Sequence, residues 1–255
     1  MLLLAILKEI NKLKKDILTF FYKDFKFYFQ SKMIYLLLIV YVALSVSATL
    51  YASDFFVNSD INLIQFFRFQ PAALALIIPA VVMRLWADEY KQNTLEVVLS
   101  QPVVYRDIVL GKFLAAWAVI GVLLLASMPF WWCVALFIDM NNLIVLANYF
   151  IVFLVAGSLC ALSFLVASLC YNMLGAFLLG LISCSVVISA SFKWLVDKLV
   201  PDNAVLMNLV NAFNFSVQYN DMIGGQINIS SIVYFLIIIV FSLVLSVMAV
   251  GCKRV

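Results

Sequence analysis

The densest set of residues equipped for chemistry lies at 83–113, MRLWADEYKQNTLEVVLSQPVVYRDIVLGKF. Asn93 can cap a helix, and Glu96, three positions on, can reach back to the cap's own amide, an Asn form of the capping box. Leu95, Val98 and Leu99 line one face of the helix so started, and Pro102 stands where so short a helix should stop. The spacing predicts a compact amphipathic helix of about two turns over 93–101. A short capped helix projecting from a loop is a handle that a soluble partner can grip and push. Simple loop structure is an equally good account on spacing alone, because capping boxes occur in any helical protein. On the first account the chemistry is mechanical.

Bond-making chemistry finds few candidates. The chain has no histidine, so His-based catalysis and haem handling through His ligation are excluded. Its five cysteines, Cys133, Cys160, Cys170, Cys184 and Cys252, show no CxxC spacing and mostly sit in apolar runs, where Cys packs as a small hydrophobe. Neither a disulfide framework nor a zinc site is expected. There is no GxxxxGK[ST] phosphate loop, and Gly111-Lys112 is no substitute because the preceding glycine and following Ser or Thr are missing. An intramembrane enzyme would need a His, a pair of carboxylates or a metal-ligand cluster. No catalytic, cofactor-binding or metal-binding residue is therefore assigned, and the chain is not expected to be an enzyme.

The elements that must carry the 83–113 segment are membrane spans. Of 255 residues, 67% are hydrophobic and 11% charged, with a mean hydropathy of +1.14, against about half apolar and a quarter charged in soluble domains. Apolar runs of the roughly 20 residues needed to cross a ~30 Å hydrocarbon layer occur at about 33–52, 70–86, 108–137, 143–169, 173–192 and 231–251. The fold class expected is all-α: a polytopic membrane protein of six transmembrane helices forming a single transmembrane domain over 1–255. The apolar opening 1–7 is too short for a signal-peptide core and is expected to be retained.

Basic residues set the orientation. Lys8, Lys12, Lys14, Lys15, Lys23, Lys26, Lys32, Arg84, Lys91, Arg106, Lys112, Lys253 and Arg254 fall on the side of the termini. Only Arg68, Lys193 and Lys198 fall on the other. Both termini are therefore expected to be cytoplasmic, 87–107 to be a cytoplasmic loop, and the net charge of +3 to report membrane orientation rather than nucleic-acid binding. Residues 8–30 interleave lysines with Ile10, Leu13, Ile17, Phe20, Phe21, Phe25 and Phe29 near a helical repeat. An amphipathic interfacial helix is expected there, within a cytoplasmic segment 1–32, lying at the inner headgroups of the bilayer. The outer segment 193–230 is too long for an ordinary connection and should fold back against the spans as short helices.

No Asp, Glu, Lys or Arg stands in the middle of a span, which disfavours ion-coupled carriage. Pro79 and Pro129 predict bends. Ala176, Gly180 and Cys184 put small residues four apart on span five. They permit close helix approach, either within the chain or as a dimer seam. Serines 183, 185, 189 and 191 either line a polar path or bond their own backbone.

The inner-loop segment resembles the signature of type-2 ATP-binding cassette (ABC) permeases: an acidic residue, a Gly-Thr-Leu-Glu element, a hydrophobic pair, Pro, then Gly-Lys opening span three. Here these positions read Glu89, Asn93, Thr94, Leu95, Glu96, Val98, Leu99, Pro102, Gly111 and Lys112, with Asn93 in place of the usual Gly. The run 214–235, NFSVQYNDMIGGQINISSIVYF, resembles the loop entering span six in the gliding-motility and nitrous-oxide-reductase-maturation branch. The resemblance implies an export permease subunit in a bacterial inner membrane. It would pair with a second permease subunit, identical or sister, and two cytoplasmic ATP-binding subunits, which hold the ATP and Mg. It also implies that Glu89, Asn93, Thr94, Leu95, Glu96, Val98, Leu99 and Pro102 contact the ATPase. The rival expectation is a membrane scaffold or assembly factor that passes ATPase motion to an outer-face partner without moving a solute.

Overall fold

In a bilayer each backbone N–H and C=O must find its partner within the protein, so long apolar segments become helices. The structure is a computed structural model that describes residues 17–52, 64–91, 105–136, 142–170, 172–189, 214–223 and 228–252. Their regular elements are all helices: α1 (17–30), α2 (Lys32–Ala52), α3 (Ile64–Lys91), α4 (Tyr105–Ala126), α5 (Met128–Ala135), α6 (Asn142–Leu169), α7 (Met173–Ser189), α8 (Phe215–Met222) and α9 (Ile229–Cys252). By length and composition α2, α3, α4–α5, α6 and α9 suffice to cross a membrane. At 17 residues, α7 reaches about 26 Å, short of a ~30 Å core; the predicted 190–192 extension lies outside the described residues.

The central helix is α6, packed against α3, α4, α7 and α9. Its residues from Leu154 to Ala161 are buried without interruption, so that stretch is enclosed on all sides. Two glycines bring its neighbours close. A Cβ on Gly157 would lie 2.8 Å from the Trp117 ring, and one on Gly121 would lie 3.0 Å from Phe153. Trp117 and Phe153 consequently stack at 4.7 Å and 8°, and the indole donates to the Phe153 carbonyl at 3.0 Å. At the periphery, α2 exposes Tyr35, Leu36 and Ile39, and α9 exposes Ile237, Val240 and Phe241; these apolar faces suit lipid.

Proline explains two local features. Span three breaks at Ser127, where Pro129 occupies the first turn of α5, as the predicted bend requires. In α3, Pro71 has no N–H to give the Phe67 carbonyl four residues back. The Tyr219 phenol of α8 donates to that carbonyl instead. Burial pushes the Tyr219 phenol well above its ordinary range, so it stays a donor. The predicted folding-back of 193–230 is thereby seen at 214–223, where Asn214 caps α8 through the Ser216 amide at 3.1 Å.

In α3 the span-length apolar stretch ends at Trp86, as predicted, but begins at Ile64, six residues before the predicted 70. The helix itself runs on to Lys91, because no breaker interrupts 84–91. The inner connection is correspondingly shorter, and Glu89 belongs to a helix rather than a loop.

Candidate functional site

At the end of the bundle holding the N-termini of α2 and α4 and the C-terminus of α3, three elements are tied together by buried polar contacts. Here α1 lies across the start of α4. Gly111 permits this: a Cβ there would sit 2.7 Å from Phe20 Cβ and 3.0 Å from the Ile17 carbonyl oxygen. With Gly111 in place, the stripe Phe20, Asp24 and Tyr28, spaced four apart, turns inward and is buried. Beside it Phe21, Phe25 and Phe29 form a ladder with centroids 5.5 and 4.8 Å apart. Lys23 and Lys26 stay exposed, where a basic interfacial helix needs them. The described part of the predicted 8–30 helix thus has the expected character, but its inward face carries a carboxylate.

That carboxylate meets Lys112. The ammonium lies 3.5 Å from Asp24 Oδ2, and both side chains are below 10% exposed. Asp24 Oδ2 has no hydrogen-bond partner, so the attraction is Coulombic. The same ammonium donates to the Leu85 carbonyl at 3.2 Å and stands 5.5 Å from the Trp86 ring centroid, a cation–π distance. One side chain therefore joins α1, the end of α3 and the start of α4. Two further contacts reinforce the tie. Tyr28 donates to the Val81 carbonyl at 2.8 Å, and Arg84 donates to Ser31 Oγ at 2.6 Å while lying 5.7 Å over the Phe27 ring. Trp86 packs on Phe164 at 5.4 Å, which links the junction to the central helix.

The predicted contact residues border this junction. Glu89 lies in the last turns of α3. Asn93, Thr94, Leu95, Glu96, Val98, Leu99 and Pro102 lie outside the described residues. The segment from 92 to 104 connects α3, which supplies Leu85 and Trp86, to α4, which supplies Gly111 and Lys112.

The small residues of span five face inward. Ala176, Gly180 and Cys184 are buried within the chain. A Cβ on Gly180 would meet Pro79 at 3.2 Å, and Cys184 Sγ lies 3.1 Å from Ser163 Oγ. Packing against α3 and α6 within the chain accounts for their burial, the first of the two readings given for them. Ser183 and Ser189 bond carbonyls of their own helix at 2.8 and 2.6 Å, which leaves the backbone reading of these serines in place.

Sequence reasoning missed Asp24 and Tyr28 as functional residues and read Lys112 only as an orientation charge and part of a motif. The available signals were an acid between Phe20 and Tyr28 at fourfold spacing and a lysine directly after a glycine in an apolar helix. In comparisons with known proteins, no family model matches the chain and no curated protein matches it.

Proposed function

We propose that the chain is the membrane permease subunit of an ATP-binding cassette exporter. ATP and Mg would be held by two copies of a separate ATPase subunit, and a second permease subunit would complete the transporter. The observation that supports this reading best is the junction at the ends of 92–104, where Lys112 bonds the Leu85 carbonyl and pairs with Asp24. Force applied to the helix predicted at 93–101 has a short route to α1 through Lys112 and to α6 through Trp86. Without that junction a protruding helix would move independently of the spans. With it, closure of an ATPase dimer tilts α3 and α4 together against α6. The membrane would be a cell membrane, with the basic end cytoplasmic; the resemblance favours the bacterial inner membrane.

The test is an affinity pull-down of the tagged chain in mild detergent, comparing wild type with Leu95→Asp and Leu99→Asp. Copurification of a P-loop ATPase with wild type, and its loss from folded variants, is the expected result. Failure to recover an ATPase from wild type under several gentle conditions overturns the reading.

A further inference from the structure

At the opposite end of the bundle, polar side chains from five parts of the fold meet in an apolar interior. They are Tyr41 of α2, Gln70 of α3, Ser127 between α4 and α5, Tyr149 of α6 and Tyr219 of α8, all buried. None is charged at neutral pH. Aromatic rings frame them: Phe67 meets Tyr149 edge-on at 5.1 Å, and Phe66 meets Phe130 at 5.1 Å.

The protons can be placed one by one. Ser127 Oγ donates its only hydrogen to the Leu124 carbonyl at 2.7 Å. In the 3.3 Å contact between Ser127 and Tyr149 the phenol is therefore the donor. Tyr219 donates to the Phe67 carbonyl, and Tyr41 donates to Gln70 Oε1 at 2.5 Å. Every hydroxyl hydrogen is then used, while Gln70 Nε2, a group with two hydrogens, has no partner. Turning the amide over does not close the gap. The amide nitrogen would then stand 2.5 Å from the Tyr41 oxygen and donate to it. Oε1 would be left without a donor. In both orientations one end of a side-chain amide on a residue only 1% exposed is unmatched, and buried polar groups rarely stay so.

We propose that the open end of the Gln70 amide, beside Tyr41, is a binding site for one neutral hydroxyl group. A hydroxyl both donates and accepts, so it matches either amide orientation, whereas a carbonyl only accepts and an ammonium only donates. Neutrality follows because none of the five side chains carries a charge to offset the burial of an ion. The hydroxyl belongs either to a trapped water or to an alcohol with an apolar body, which the surrounding rings would accept. Only the further identification of such an alcohol as cargo rests on the permease reading.

The experiment uses the full chain in lipid nanodiscs, a photoreactive eight-carbon alcohol and its deoxy analogue, with labelled peptides mapped by mass spectrometry. One hydrogen bond corresponds to about a fivefold to tenfold preference for the alcohol at peptides containing Tyr41, Gln70 and Tyr149, abolished by Gln70→Leu. If Gln70→Leu does not fold, Tyr41→Phe removes one oxygen from the same site and takes its place. A high-resolution structure of the unlabelled chain supplies the second arm. An isolated oxygen peak within about 3.2 Å of the amide, with no alcohol preference, assigns the site to a resident water. Equal labelling by both probes together with no such peak overturns the proposal. Neither readout depends on whether an ATPase copurifies, so failure here is separable from failure of the permease reading.

Discussion

If Asp24 and Lys112 hold α1 against α4, removing one partner must cost far more than removing both. Lys112→Met leaves the Asp24 carboxylate buried with neither a counter-ion nor a hydrogen bond to Oδ2. Breaking a buried pair from one side costs about 3–5 kcal/mol. Asp24→Leu leaves the ammonium with the Leu85 carbonyl and the Trp86 ring, so its cost belongs at the lower end, about 3 kcal/mol. The double variant Asp24→Leu/Lys112→Met fills the same space with apolar atoms and is expected within about 1 kcal/mol of wild type, since buried pairs and hydrophobic replacements of similar volume are often equivalent. The coupling from the cycle is then about 5–8 kcal/mol, well above the 0.5–3 kcal/mol usual for neighbouring residues. For a chain of this size about 1 kcal/mol moves Tm by roughly 2–4 °C, so Lys112→Met should melt roughly 6–20 °C early and the double variant within a few degrees of wild type. Thermal unfolding of the four proteins in one detergent, followed by intrinsic tryptophan fluorescence, measures this. Additive single effects, or a double variant worse than either single, would refute the reasoning and reduce the pair to two residues that act independently.

Gly111→Val forces a side chain into the Phe20 and Ile17 contact and should detach α1, seen as faster protease cleavage near residue 30, while Gly251→Val, where a Cβ meets nothing within 4 Å, should leave the pattern unchanged. Tyr219→Phe strands the Phe67 carbonyl that Pro71 cannot serve, at an expected loss of about 1–3 kcal/mol, measured as a drop in Tm with α-helical circular dichroism preserved. Gly157→Ala drives a methyl to within 2.8 Å of the Trp117 ring; overpacking of this kind costs about 1–3 kcal/mol, and the displaced indole should show a shifted fluorescence maximum.

The helices were legible because lipid solubility and backbone satisfaction act on whole segments, and those show in composition. For the same reason the predicted ends of α2, α6 and α9 fall within two residues of the observed ones, where apolar runs stop. The ends of α3 were less legible, since 84–91 is polar yet has no helix breaker, and hydropathy records membrane depth rather than helix length. The junction was harder still. Asp24 and Lys112 are 88 positions apart in the chain, and nothing in either neighbourhood announces the other; only the helix packing brings them together. Gly180 shows the opposite difficulty: its spacing declares close approach truthfully but is silent on the partner, which proved to be Pro79 of the same chain.

Both ends of the bundle are tied by hydrogen bonds, and the basic end has an ion pair besides, a force of longer range. Coulombic attraction falls as the inverse of distance. Drawing Lys112 from 3.5 Å to a separation about 2 Å greater would cost the pair only about a third of its attraction. Hydrogen bonds weaken steeply once distance and angle leave their narrow range, so the same displacement would abolish the Tyr219–Phe67 and Tyr41–Gln70 bonds altogether. The ion pair therefore still attracts α1 after a displacement that breaks the Lys112–Leu85 and Tyr28–Val81 hydrogen bonds. The five polar side chains at the other end include no charged group that could do the same. Removing the ties at each end tests it: Tyr41→Phe with Tyr219→Phe should raise the reactivity of a cysteine placed at Phe66, buried at that end, toward a water-soluble maleimide, whereas Asp24→Leu/Lys112→Met should not. Equal reactivity in the two backgrounds would mean that the far end is held by apolar packing alone.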